Sequence, residues 1–162
     1  MVPALRIVQG LSRIALGWIF LWAFFDKVFG LGFSTAGDKA WLDGVSPTYG
    51  FLKFGLTGIF APAFQTLAGS AFVDWLFMLG LLGLGVALLL GIGMKIATYA
   101  GTLLLLLLYL AVVPPEHNPI IDEHIVYALL LWILYLNSAG EFFGLGKKWG
   151  KTTLVKKYPV LR

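Results

Sequence analysis

Residues 75–115 read WLFMLGLLGLGVALLLGIGMKIATYAGTLLLLLLYLAVVPP and hold one charge, Lys95. A helix that crosses a membrane needs about 20 mostly apolar residues. Residues 75–94 and 96–115 each supply that length without a charge. Between them, Gly91, Gly93 and Lys95 predict a tight helical hairpin turn at a membrane face. Two adjacent spans with so short a link make lipid the solvent for this chain.

The flanks extend the pattern. Only 12 uncharged residues lie between Arg13 and Asp26, so a first span must take in Arg13, or Asp26 and Lys27, or both. Arg13 is expected to snorkel to one interface, with Asp26 and Lys27 near the other, where charge costs less than at the centre. Residues 125–140, between His124 and Glu141, give a short last span of 16 uncharged residues. Residues 54–73 are also uncharged, but Gly55, Gly58, Pro62, Gln65, Thr66, Gly69 and Ser70 weaken them as a span. Only Asp74 separates them from the next helix, which leaves no room for a turn. They are expected to form an interfacial or re-entrant helix, with Phe60, Phe64 and Leu67 toward lipid or bundle. The expected fold is all-α: an integral membrane four-helix bundle with that additional helix between the first and second spans. Residues 1–149 form the transmembrane domain and residues 150–162 a basic C-terminal tail.

Composition agrees. Hydrophobic residues make up 59% and charged residues 12%, about half the charged share of a soluble domain. There is no cysteine, which removes disulfides, thiolate metal sites and thiol nucleophiles. The net charge is +4, but no helix carries a basic face with interleaved aromatics, so nucleic acid is not an expected partner. A cleaved leader is disfavoured because Asp26 and Lys27 interrupt the first apolar run.

The charges sort by side. With four spans, Arg6, Arg13, Lys95, Lys147, Lys148, Lys151, Lys156, Lys157 and Arg162 share one side with a single acid, Glu141, for a net +8. The other side holds Lys27, Lys39 and Lys53 with the remaining seven acids, a net −4. The positive-inside rule makes the first side cytoplasmic. The expectation is a multi-pass protein of the cell membrane with both termini in the cytoplasm and a tail touching anionic lipid. Small residues at spacing four, Gly83-Ala87-Gly91 and Ala97-Gly101, are expected to mark close helix packing.

The polar residues of the acidic side form the candidate site: Asp26 and Lys27 at the end of the first span, Asp74 at the start of the second, and His117, Asn118, Asp122, Glu123 and His124 before the fourth. Glu116 lies beside them. A closed bundle would make these ends neighbours. Along the last span, Glu123, Tyr127, Leu130, Leu134, Asn137 and Glu141 fall within about 40° of one line. Such a stripe can guide protons or hydrogen-bond a quinone headgroup near Tyr127. Plainer roles compete. Asp122 and Glu123 suit a helix N-terminus, His117 suits a solvated loop, and Asp26 or Lys27 suits a structural ion pair. No ligand motif calls for a metal.

Several of these segments, in order, resemble the DoxX family. They are RIALGWIFLW at residues 13–22 followed by Asp26-Lys27, WLDGVSPTYGF at 41–51, DWLFMLG at 74–80 and GIGMK at 91–95. They continue with NPIIDEH at 118–124, Val126-Tyr127-Ala128, Ala139-Gly140 and GLG at 144–146. The resemblance runs from Arg13 to Trp149. It implies a small four-helix membrane protein. Some relatives, of the DoxD type, are described as the small subunit of a thiosulfate:quinone oxidoreductase, and others are linked to oxidative-stress or redox complexes. No catalytic residue carries over.

Three functions follow as expectations. The first in rank is a non-catalytic subunit that anchors or assembles a membrane redox complex, with a redox partner subunit or a second copy as partner and quinone as a contact. The second is a catalytic quinone-linked oxidoreductase subunit, against which the −4 side would repel a sulfur dianion. The third is a small-molecule transporter, for which no inverted repeat is visible.

Overall fold

The computed structural model describes residues 3–162, and among them every regular element is helical. Helix α1 spans Pro3–Phe29 and is followed by α2 (Tyr49–Phe54), α3 (Ala61–Gln65), α4 (Ala71–Leu90), α5 (Met94–Val112) and α6 (Glu123–Leu136). Two short helices close the chain, α7 (Gly146–Trp149) and α8 (Thr153–Lys157).

Helices α1, α4 and α5 are long and apolar enough to cross a membrane, at 27, 20 and 19 residues. Helix α1 takes in Arg13 and both Asp26 and Lys27. The expected fourth span is shorter than residues 125–140 suggested. Helix α6 has 14 residues, a rise of about 21 Å against a hydrocarbon core of roughly 30 Å. It stops because Ser138 turns left-handed at φ 54°. Its start follows from Asp122, whose carboxylate accepts the amides of His124 and Ile125 as an N-cap. The hairpin turn between α4 and α5 falls where the glycines predicted it, with Gly91 at φ 69° and Gly93 at φ 59°. Gly91 ends α4 in the left-handed region that other residues avoid.

Each of the four longest helices runs antiparallel to its neighbours. Gly17 of α1 lies against Leu88 and Leu89 of α4, while Gly85 of α4 lies against Leu21 of α1. Gly101 of α5 meets Leu84 of α4 and Leu131 of α6. The α1–α4 and α5–α6 pairs are the most extensive, α4–α5 is lighter, and α6 returns to touch α1. Leu16, Phe20, Met78, Leu88, Leu131 and Leu134 form the shared core.

Small residues do pack the helices, but not all of those that the spacing picked. Gly91 and Gly101 are in close contact, whereas the space beyond Gly83 is open for 4 Å. The seam between α1 and α4 is made by Gly17 and Gly85 instead. A Cβ on Gly85 would sit 2.8–2.9 Å from atoms of Leu21. The two glycines, 83 and 85, point about 200° apart on one helix, so only one can face α1.

Residues 54–73 form no single additional helix. They hold the end of α2 and all of α3, with bends and turns at Gly55, Gly58 and Gly69. Phe64 packs with Leu52, Leu56, Ala61 and Val73 against Ala111 and Val112 of α5. Phe60 and Leu67 are exposed. The α2–α3 segment thus roofs the gap between the start of α4 and the end of α5.

Residues 150–162 return to the bundle. Val155 is buried, the Trp149 indole donates to the Leu161 carbonyl at 2.5 Å, and the Lys95 amide donates to the Arg162 carbonyl at 2.9 Å. The Arg162 guanidinium lies 3.7 Å from Glu141.

Candidate functional site

The antiparallel order gathers the end of α1 and the starts of α4 and α6 at one end of the molecule, the acidic end. Burial there follows a common logic. A carboxylate in apolar surroundings must have its lone pairs filled, and each acid fills them with its own loop.

Asp26 is almost fully buried. It accepts the amides of Phe33 (3.2 Å) and Ser34 (2.9 Å) and the Ser34 hydroxyl (2.6 Å). This ties the loop after α1 back onto the helix. Lys27 reaches the same hydroxyl at 3.3 Å. Asp74, also buried, accepts the hydroxyls of Ser46 (2.8 Å) and Thr48 (2.5 Å), which fastens the long loop to the first turn of α4. Asp122 caps α6 and pairs with His124 Nδ1 at 2.7 Å.

The sequence-predicted set therefore divides into three networks. Lys27 joins Asp26 through Ser34, His124 joins Asp122, and Asp74 stands with Ser46 and Thr48. No hydrogen bond or ion pair among the described residues joins one network to another. His117, Asn118 and Glu123 are exposed. The Asn118 side chain accepts the amides of Ile120 and Ile121 and shapes the loop before α6. Among the described residues no group of three or more His, Asp or Glu side chains gathers as metal ligands.

The α6 stripe also separates. Tyr127 and Leu130 pack against the core, and Leu134 is part of it. Asn137 donates to the Ile133 carbonyl of its own helix at 2.8 Å, and Glu141 faces Arg162. The polar members sit at the two ends with leucines between, so no continuous polar line runs along α6.

At the opposite, basic end, Arg13 does not snorkel. It is fully buried, and its guanidinium donates to the carbonyls of Leu88, Leu89 (3.0 Å), Ala139 (3.2 Å) and Phe142 (2.9 Å). The last carbonyls of a helix lack partners and carry the negative end of its dipole. The end of α4 and the turn after α6 converge on Arg13, which gives a buried cation both polar partners and compensating partial charge. Left-handed residues at Ser138 and Phe143 wrap that turn around it.

The largest concavity is a groove of about 1,980 Å³ between α4 and α5, where these helices are in lightest contact. Its walls are apolar over most of their length, through Leu76, Gly83, Ala87, Ala100 and Leu107. Trp149 and Leu161 close the basic end. The polar side chains of the lining, among them Lys27, Ser34, Lys39, Thr48 and His124, come from the acidic-end segments. Sequence reasoning reached Lys27 and His124 but missed Ser34, Ser46 and Thr48. The only signal for these three was a hydroxyl-rich loop in a chain whose buried acids need donors.

No protein-family model, no curated protein and no solved structure matches this chain.

Proposed function

We propose that the chain is a multi-pass membrane subunit that anchors or assembles a redox complex, and that it belongs to the DoxX type its sequence resembles. In this reading α1, α4 and α5 cross the bilayer, and α6 crosses with the turn that follows it. The acidic end lies outside and both termini lie in the cytoplasm of a cell-membrane protein. Apolar side chains exposed along the helices support this. Leu76, Leu79, Leu103, Leu129 and Ile133 are each more than half exposed, an arrangement stable in lipid and unfavourable in water. Exposed Trp75, Phe72, Phe29 and Phe54 mark the acidic end as an interfacial aromatic belt.

The observation that carries the non-catalytic role is the state of the acids. Asp26, Asp74 and Asp122 each spend their acceptors on their own loops or caps. A general base or proton relay needs a carboxylate free to act on substrate. The redox assignment rests on the resemblance alone, and quinone contact rests on that resemblance together with the groove.

Two experiments test the reading. The chain has no cysteine, so single cysteines introduced at Asp43 and Lys151 report topology without background. Maleimide in intact cells should label Asp43→Cys and not Lys151→Cys; the reverse pattern refutes the orientation. Native mass spectrometry after gentle extraction should show a partner chain bound to this one. A chain recovered free of any partner across mild conditions refutes the assembly role.

A further inference from the structure

The groove between α4 and α5 has a polar end and a long apolar length, which is the shape of an amphiphile. At about 1,980 Å³ it is roughly twice the upper range of small-molecule sites. Its long wall, α4, has 20 residues, a rise of about 30 Å. A headgroup-sized ligand would leave most of it empty.

The charge pattern specifies the headgroup. The acidic end as a whole is net negative, yet the groove lining holds Lys27, Lys39 and His124 and no carboxylate. Asp26 and Asp74 are turned away into their loops, and Asp122 is turned onto the α6 cap. Lys27 donates only to the Ser34 hydroxyl, which leaves most of its ammonium valence to a groove ligand. Lys39 is well exposed and meets only its neighbour Asp38 at 3.7 Å. Two cations with hydroxyls beside them suit a phosphate oxygen. Beneath them, Gly83 on α4 and Ala100 on α5 widen the apolar channel, and the space beyond Gly83 is empty. A cation pair at one end of a channel kept open by small residues fits a charged head on a long tail.

We infer that this groove is a binding site for one anionic phospholipid, with its phosphate on Lys27 and Lys39 and its acyl chains along α4 and α5. The inference rests on the membrane placement proposed above.

The test uses the full chain in vesicles of equal phosphatidylglycerol and phosphatidylcholine, re-extracted and read by native mass spectrometry. The unaltered protein should retain phosphatidylglycerol in preference. Lys27→Gln with Lys39→Gln should reduce that preference by about fivefold per lysine. Gly83→Leu, whose side chain enters open space, should reduce retention of both lipids. Lys39→Gln alone alters an exposed side chain and keeps the test valid if the double variant does not fold. An unchanged lipid ratio in the lysine variants overturns the inference. So does a quinone, or a second copy of the chain, that leaves when Gly83 is enlarged while no lipid is held. Those results leave the membrane placement intact. That placement fails separately if alkaline carbonate releases the protein from its membrane.

Discussion

Helix α4 has two long neighbours and meets them in different ways. Against α1 it forms a seam in which Gly17 and Gly85 let the backbones touch, closed at the basic end by Arg13. Against α5 it diverges from the Gly91–Gly93 turn and leaves the groove. The polar interactions differ in reach as well. Arg13 ties residues 75 to 129 positions away in the chain, whereas the acids at the other end bond partners 2 to 28 positions away. One region joins distant parts of the bundle, and the other dresses each helix end with its own loop. Charges near helix ends can therefore weld a fold or decorate it, and the sequence separation of their partners tells which.

Substitutions can break this contrast, and the largest effect belongs to Arg13. Arg13→Met removes the donor to four carbonyls and should destabilise the whole bundle by roughly 3 kcal/mol, seen as a lowered melting temperature in detergent. A local effect confined to α1 would end the claim that this residue joins three segments. Gly85→Ala comes next. Its Cβ would press on the Leu21 backbone, and about 2 kcal/mol of global stability should be lost. Asp74→Ala should cost about 1–2 kcal/mol, read out locally. Hydrogen exchange should rise over residues 45–54, while α4 and α5 stay protected. Exchange rising evenly through the molecule would place Asp74 with Arg13 rather than apart from it. Gly83→Ala, two positions from Gly85, should raise stability by up to about 0.8 kcal/mol, because its methyl meets nothing. A loss equal to that of Gly85→Ala would mean the groove is closed.

Much of the helical pattern was legible because its signals are local. The charge-free runs around Lys95 became α4 and α5, the Gly91–Gly93 turn fell in place, and the acid before Glu123 became the cap of α6. The site was less legible because its determinants are long-range. Spacing-four glycines mark a face but do not say which neighbour that face meets, so Gly83 and Gly85 could not be told apart. Arg13 reads as a residue seeking the interface until the turn after α6 is known to come back to it. The acids of the last loop and the first span look like one cluster because their partners, Ser34, Ser46 and Thr48, lie in segments without periodicity. The charge-free run from Phe54 to Val73 reads as one helix, but its glycines break it into short pieces.

The hold on Arg13 sets an order of events during biosynthesis. The ribosome makes Arg13 long before Leu88, whose carbonyl it will use, and longer still before Ala139 and Phe142. Until those residues emerge, the guanidinium has only water, lipid headgroups or the insertion machinery to satisfy it. A nascent chain stopped short of residue 139 holds α4 but lacks the second half of the clasp. The first helix to be synthesised is thus the last to reach its final environment.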